Sequence, residues 1–300
     1  MQVTRRRLDA ELTRRGLARS REQARELIAA GAVQVRGVAA TKAATQVETS
    51  APITVESGGS KYVSRGALKL IGALDAFEVV DGRNDRERSD DSTGLSDGDD
   101  GREQDHDGKR SLTVTGRRVL DAGASTGGFT QVLLERGAER VLAVDVGYGQ
   151  LAWPLRVDPR VDLLERTNVR SLTVEAVPYL ASMVVADLSF ISLRTVLPAL
   201  LGCTDPTCDY LLMVKPQFEV GREQVGDGVV RDPELRKRSV ESVVRFAIGL
   251  GLSFRGVVAS PLPGPSGNVE YFIWLVRGGT DPGIVDVTEA IDAAVQEGPS

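Results

Sequence analysis

Apolar positions in the first forty residues are few and recur at short helical spacings. Leu8, Leu12 and Leu17 fall on one side of a predicted helix that carries Arg14 and Arg15 on the other and stops at Gly16. A second helix is predicted from Ser20, whose Gln23 three residues on completes a capping box, with Ala24, Leu27 and Ile28 as its apolar stripe and Gly31 at its end. Val33 and Val35 then alternate with polar neighbours, and Arg36-Gly37 turns the chain into Val38, which predicts a hairpin. The expected product is a small α+β module.

After residue 116 the rhythm changes to continuous apolar runs that end in polar residues. Val119-Leu120 leads into Asp121, then a Gly-rich turn, then a helix through Val132-Leu133-Leu134 that stops at Gly137. Val141 to Asp145, Val184 to Asp187, Leu211 to Lys215 and Glu270 to Val276 read as buried strands. Ser64 to Leu70 reads as a helix leading into this part of the chain, with Leu68, Ile71 and Leu74 as its apolar side, and Asp232-Pro233-Glu234 opens another whose apolar face is Val240, Val243, Val244, Ala247 and Ile248. Strands alternating with helices imply an α/β unit with a mostly parallel sheet. Residues 82–113 break this pattern with Asp, Gly, Ser and Arg, too polar to offset their ordering entropy, and are expected to be a disordered acidic insertion without the spacing of a calcium loop.

Charge sharpens the division. Residues 1–69 hold 13 Lys and Arg against 6 Asp and Glu within a chain whose net charge is −5, so a basic module precedes an acidic body and a polyanionic partner is expected for the former. The single histidine, His106, lies in the insertion, which leaves no imidazole for a catalytic triad. Two cysteines, Cys203 and Cys208, are too few for a thiolate zinc site, and no metal is expected. No apolar run approaches the roughly 18 residues needed to cross a bilayer, and the start lacks a hydrophobic signal core, so a cytoplasmic protein without membrane association is expected.

The turn after Asp121 has the spacing G-x-x-x-G-G over Gly123, Gly127 and Gly128, unlike the dinucleotide fingerprint, and no G-K-[ST] serves a triphosphate. A nucleoside ligand without pyrophosphate fits better, with Asp145 placed to accept from ribose hydroxyls. Lys215, at a strand end before Pro216, is either a lysine emerging at the surface or a functional amine.

Resemblances narrow these readings. Arg7-Leu8-Asp9, Ala18-Arg19-Ser20-Arg21 and Val33-Gln34-Val35-Arg36-Gly37 resemble the S-four RNA-binding domain, which implies Arg5, Arg7, Arg19, Arg21, Arg25 and Lys42 as RNA contacts. Asp121 to Phe129 with Asp145 resembles the first two motifs of S-adenosylmethionine-dependent methyltransferases, with their Rossmann-like fold. Lys69, Asp187, Lys215 and Glu270 match in chain order the catalytic tetrad of FtsJ-type ribose 2′-O-methyltransferases. Gly147-Tyr148-Gly149-Gln150, Asp187-Leu188-Ser189-Phe190-Ile191-Ser192, Lys215-Pro216-Gln217-Phe218-Glu219 and Ser260 through Glu270 are similar to the TlyA family, also labelled haemolysin A, which joins the two domains.

That resemblance implies S-adenosylmethionine held by Asp121, Gly123, Ser125, Thr126, Gly127, Phe129, Asp145, Asn168 and Asp187. It implies methylation of cytidine ribose in 16S and/or 23S ribosomal RNA, alone or in ribosomal subunits, with Lys215 nearest the 2′-hydroxyl and Lys69 beside it; a monomer is expected. The layout expected is an RNA-binding domain over 1–59, a linker over 60–66, a methyltransferase domain over 67–280 and a tail over 281–300. Ser60-Lys61-Tyr62-Val63 stands where the family has Arg-Ala-Trp-Val. A non-catalytic ribosome-assembly factor with a relic fold is the alternative; a pore-former would need amphipathic segments with a strongly basic face, and the chain has none.

Overall fold

The computed structural model describes residues 5–18, 20–29, 31–55, 61–78, 112–264, 266–278 and 287–298. The chain divides into two compact units, Met1–Lys61 and Tyr62–Ser300. Arg19, His106 and nearly all of the expected insertion lie outside the described residues.

In the first unit, β1 (Arg5–Arg7) pairs with β4 (Gln46–Glu48), and β2 (Val33–Val35) is flanked by β3 (Val38–Ala39) and β5 (Ile53–Val55). Helices α1 (Leu8–Arg14) and α2 (Arg21–Ala29) pack around Leu8, Leu12, Ala24, Ile28, Val33 and Val47. The Ser20 hydroxyl accepts from the Gln23 amide at 3.1 Å, the N-cap expected. Leu17 departs from expectation: α1 ends at Arg14, so Leu17 falls in the following turn and is exposed.

The second unit is built on a seven-stranded sheet in the order β11-β12-β10-β9-β6-β7-β8. In chain order its strands are β6 (Arg118–Ala122), β7 (Arg140–Val144), β8 (Val161–Leu164), β9 (Ala181–Ala186), β10 (Thr204–Val214), β11 (Leu252–Ala259) and β12 (Tyr271–Arg277). Strands β10, β9, β6, β7 and β8 are parallel, while β12 runs antiparallel to both β10 and β11. Side chains alternate between two cores. Leu120, Val184 and Leu212 face α6 (Leu193–Gly202), α9 (Pro233–Gly249) and α10 (Val287–Glu297); Val119, Val185 and Leu211 face α3 (Gly66–Glu78) and α4 (Gly128–Glu135). Burial on both faces explains why these strands read as unbroken apolar runs. Short helices α5 (Trp153–Arg156), α7 (Pro216–Glu219) and α8 (Arg222–Val225) complete the unit.

Several sequence expectations shift. Leu112, placed within the solvated insertion, is fully buried in the α3–α4 core, so ordered packing resumes earlier than composition indicates. Leu68 is 45% exposed, because α3 turns Ala67, Leu70, Leu74 and Phe77 inward and carries Lys69 with them. Ile248 is also exposed, at the outer edge of the α9 face. Tyr62 and Val63, expected in the linker, pack on the second unit's core, and the Val63 amide donates to Gln131 Oε1 at 2.9 Å. Within the tail, α10 buries Ile291 against the sheet. Cys203 and Cys208 are buried free thiols. Among the described residues no helix is long and apolar enough to cross a membrane.

Candidate active site

Strand order reverses between β6 and β9, the place where open α/β sheets bind ligands beyond their carboxyl ends. Gly123 ends β6 with φ of +88°, and a Cβ there would lie 2.7 Å from the Asp187 carbonyl oxygen, so only glycine permits this approach. Beside it opens a cavity of about 890 Å³, within the range of small-molecule sites. Of the expected cofactor residues, Gly123, Ser125, Asp145, Asn168 and Asp187 line it. Asp145 accepts from the Ser125 amide at 2.8 Å and the Gly147 amide at 2.6 Å, which fixes its carboxylate at the rim.

Asp121, Thr126, Gly127 and Phe129 do not line the cavity. Phe129 is buried and stacks on Phe272 at 6.1 Å, so its role is core packing. Gly127, at φ +97°, begins α4 where a Cβ would collide with Leu155. Asp121 is completely buried; Thr130 donates to its Oδ2 at 2.7 Å, while Oδ1 has no hydrogen-bond partner in the protein. Burial pushes its carboxyl up to about 7, opposed by the Thr130 bond and reinforced by Asp187 and Asp145. Acidic groups around this turn, with Asp145 and Asp187 on the cavity wall and the partnerless Asp121 Oδ1 behind it, suit a cationic ligand better than a phosphate. A sulfonium with an amino-acid ammonium meets that condition, so the residues present fit S-adenosylmethionine.

The tetrad assembles at the same end of the sheet. Lys215 follows β10 and its Nζ lies 2.5 Å from Asp187 Oδ1 and 3.2 Å from Ser189 Oγ. Register pairs Val214 with Tyr271, so Lys215 and Glu270 stand opposite each other just beyond the paired ends of β10 and β12. Lys69, one turn into α3, is 7% exposed and bonds Glu270 Oε2. The first turn of α3 also reaches Asp187, since a Cβ on Gly66 would lie 3.9 Å from Asp187 Oδ2. Glu270 Oε1 has no partner, and Gly264 lies so close that a Cβ there would sit 2.6 Å away. Each lysine is therefore neutralised by its own carboxylate, one from the sheet's parallel part and one from its antiparallel edge.

Ser189 and Phe190 are site residues that the sequence pattern does not single out. Phe190 is 91% exposed with φ +64°, a strained conformation for an aromatic residue, and its ring meets Phe218 at 5.1 Å on the cavity rim. It offers an exposed π-face next in sequence to Ser189, the hydrogen-bond partner of Lys215. Glu219, raised by burial, holds that loop: Ser192 Oγ donates to it at 2.6 Å and the Leu193 amide at 2.7 Å. An aromatic in a short loop carries no periodic signal, so only its geometry marks it.

In the first unit, Arg7, Arg21 and Arg25 gather around Asp9, Arg5 lies 3.6 Å from Glu48, and Lys42 is exposed.

Comparison with known proteins agrees with the fold of both units. The FtsJ-like methyltransferase model matches residues 62–277 and the S4 domain model residues 6–53. The 16S/23S rRNA (cytidine-2′-O)-methyltransferase TlyA of Mycobacterium tuberculosis is 54% identical over 98% of both chains. Hemolysin A of Brachyspira hyodysenteriae is 32% identical over 88% of this chain and 97% of its own. A solved Streptococcus thermophilus structure described as a hemolysin superposes with a TM-score of 0.68 at 33% identity, over 99% of this chain and 98% of the other.

Proposed function

The chain belongs to the FtsJ-like methyltransferase family, in the TlyA branch that adds an S4 domain, and from that membership we propose that it methylates the ribose 2′-hydroxyl of cytidines in 16S and 23S ribosomal RNA. It uses S-adenosylmethionine and works in the cytoplasm, where ribosomal subunits are found. The observation that carries the reading is the meeting of Lys69, Asp187, Lys215 and Glu270 in two ion pairs beside the cavity.

When bound, S-adenosylmethionine supplies an electrophilic methyl carbon on a sulfonium. Asp145 and Asn168 would hold the nucleoside part and Gly123 the amino-acid part, with the buried Asp121 behind the turn as a source of negative potential. Lys215 orients the 2′-hydroxyl oxygen, and the paired Asp187 keeps its amine at one position. The hydroxyl proton passes to this amine–carboxylate cluster as the oxygen becomes nucleophilic. Lys69 and Glu270 close the other side and limit water. Phe190 presents a stacking face for an unpaired base. The cationic S4 unit grips folded RNA through its phosphates.

Nucleoside mass spectrometry of ribosomal RNA from a strain lacking the gene tests this. Incubation with the chain and S-adenosylmethionine is expected to yield 2′-O-methylcytidine; methylation of a base, or none, would overturn the proposal.

A further inference from the structure

Asp9 is completely buried, yet three guanidinium groups converge on its carboxylate. Arg7 donates to both oxygens, from Nε to Oδ1 at 3.1 Å and from Nη2 to Oδ2 at 3.0 Å. Arg21 Nη2 donates to Oδ2 at 3.0 Å, and Arg25 Nε lies 3.6 Å from the same oxygen. The Ala10 amide donates to Oδ1 at 2.9 Å, which anchors the carboxylate to the start of α1. The arginines come from the end of β1 and two successive turns of α2.

One carboxylate balances only one of three charges, so the cluster keeps a surplus of positive charge. The three side chains remain 42, 51 and 59% exposed, and of the five N–H donors on each, Arg7 spends two on Asp9 and Arg21 one. Glu11 makes a useful contrast. It is buried as well, and Arg14 bonds both its oxygens while staying 47% exposed, but its other partner Arg15 spends its remaining nitrogens on the carbonyl oxygens of Thr49 and Ala51, at 2.8 Å each, and is mostly covered. That pair ties the unit together, whereas the Asp9 cluster leaves its cations available.

We propose that Asp9 is a positioning residue for RNA recognition: it gathers Arg7, Arg21 and Arg25 into one preorganised guanidinium cluster that takes backbone phosphates. The inference rests on the reading of the first unit as the RNA-binding part. A guanidinium already held in place spends less entropy on binding a phosphate, and its planar fork suits phosphate oxygens. Simple charge counting gives the opposite sign, since removing an acid from a basic surface strengthens phosphate binding. The two accounts therefore separate on the direction of one change.

The test uses the full chain and methyl transfer to ribosomal subunits from a strain lacking the gene. Asp9→Asn is expected to raise KM for subunits about tenfold, leave kcat and the calorimetric affinity for S-adenosylmethionine unchanged, and leave affinity for an unrelated RNA duplex equal or slightly higher. Asp9→Glu is expected to recover part of the loss. An unchanged or lowered KM overturns the proposal. If Asp9→Asn loses helical circular dichroism, Arg7→Gln and Arg21→Gln, singly and together, decide instead: members of one cluster lose affinity non-additively, and strict additivity overturns it. Arg7→Glu and Arg21→Glu isolate the underlying reading. If neither raises KM, the first unit is not the RNA grip; if both do and Asp9→Asn does not, only the role of Asp9 falls.

Discussion

In the methyltransferase unit Lys69 and Lys215 are nearly sealed from water together with Glu270 and largely with Asp187, whereas in the first unit Asp9 and Glu11 are sealed and most of their arginines reach out. The chemical elements are the same, a carboxylate and a nitrogen cation, but the partner left in solvent differs. A buried cation is held at one place, which suits a reaction that depends on alignment. A buried anion with exposed cations presents those cations to a polyanion. Burial of one partner or both thus separates the part that grips from the part that reacts.

The largest effect that sharpens this contrast comes from breaking a sealed pair. Glu270→Gln leaves Lys69 buried without a charge partner and is expected to cost about 3 to 5 kcal/mol of stability, read by chemical denaturation, together with loss of methyl transfer. Arg21→Gln, beside an equally buried acid but half-exposed itself, is expected to cost about 1 kcal/mol or less while weakening RNA capture. Comparable stability losses in the two variants would break the comparison.

A smaller effect concerns Asp121. Its carboxyl is raised by burial to about 7, so the folded state holds a proton that the unfolded state releases near pH 4. Stability from this group is present at low pH and is lost as pH rises toward 7. The melting temperature of Asp121→Asn minus that of the native chain is therefore expected to grow between about pH 4 and 7 and then level off. A flat difference would contradict the assignment. Smallest is a salt effect: Arg21→Glu is expected to reduce the slope of log affinity against log salt by about 1, with a wider gap at low salt. An unchanged slope would place Arg21 outside the phosphate contacts.

Much of the second unit is legible because its strands are buried on both faces, and the carboxyl ends of two of them put Asp187 and Lys215 at one end of the sheet; Glu270 precedes its strand and joins them only because β12 runs antiparallel, which an apolar run does not reveal. The face of α3 was not legible. Ala67, Leu68, Leu70, Ile71, Ala73 and Leu74 leave it apolar nearly all round, so periodicity chose Leu68 while packing against the sheet chose Ala67 and Leu70. Strands β1, β4 and β5 span three residues each, too few for alternation to register. Gly127 and Phe129 share a motif with the cavity residues Gly123 and Ser125, but sequence adjacency does not say which side of a turn a residue faces, and the Phe129 ring packs inward on Phe272.

We propose that the Lys215 amine, held by Asp187, acts on the reacting hydroxyl rather than on the binding of either ligand. The most direct measurement is single-turnover methyl transfer to ribosomal subunits by Lys215→Ala, with S-adenosylmethionine affinity taken by calorimetry on the same sample. A rate lowered by at least about a thousandfold with cofactor affinity within about twofold of native is the expected result. A near-native rate, or a loss traced wholly to cofactor binding, would contradict it.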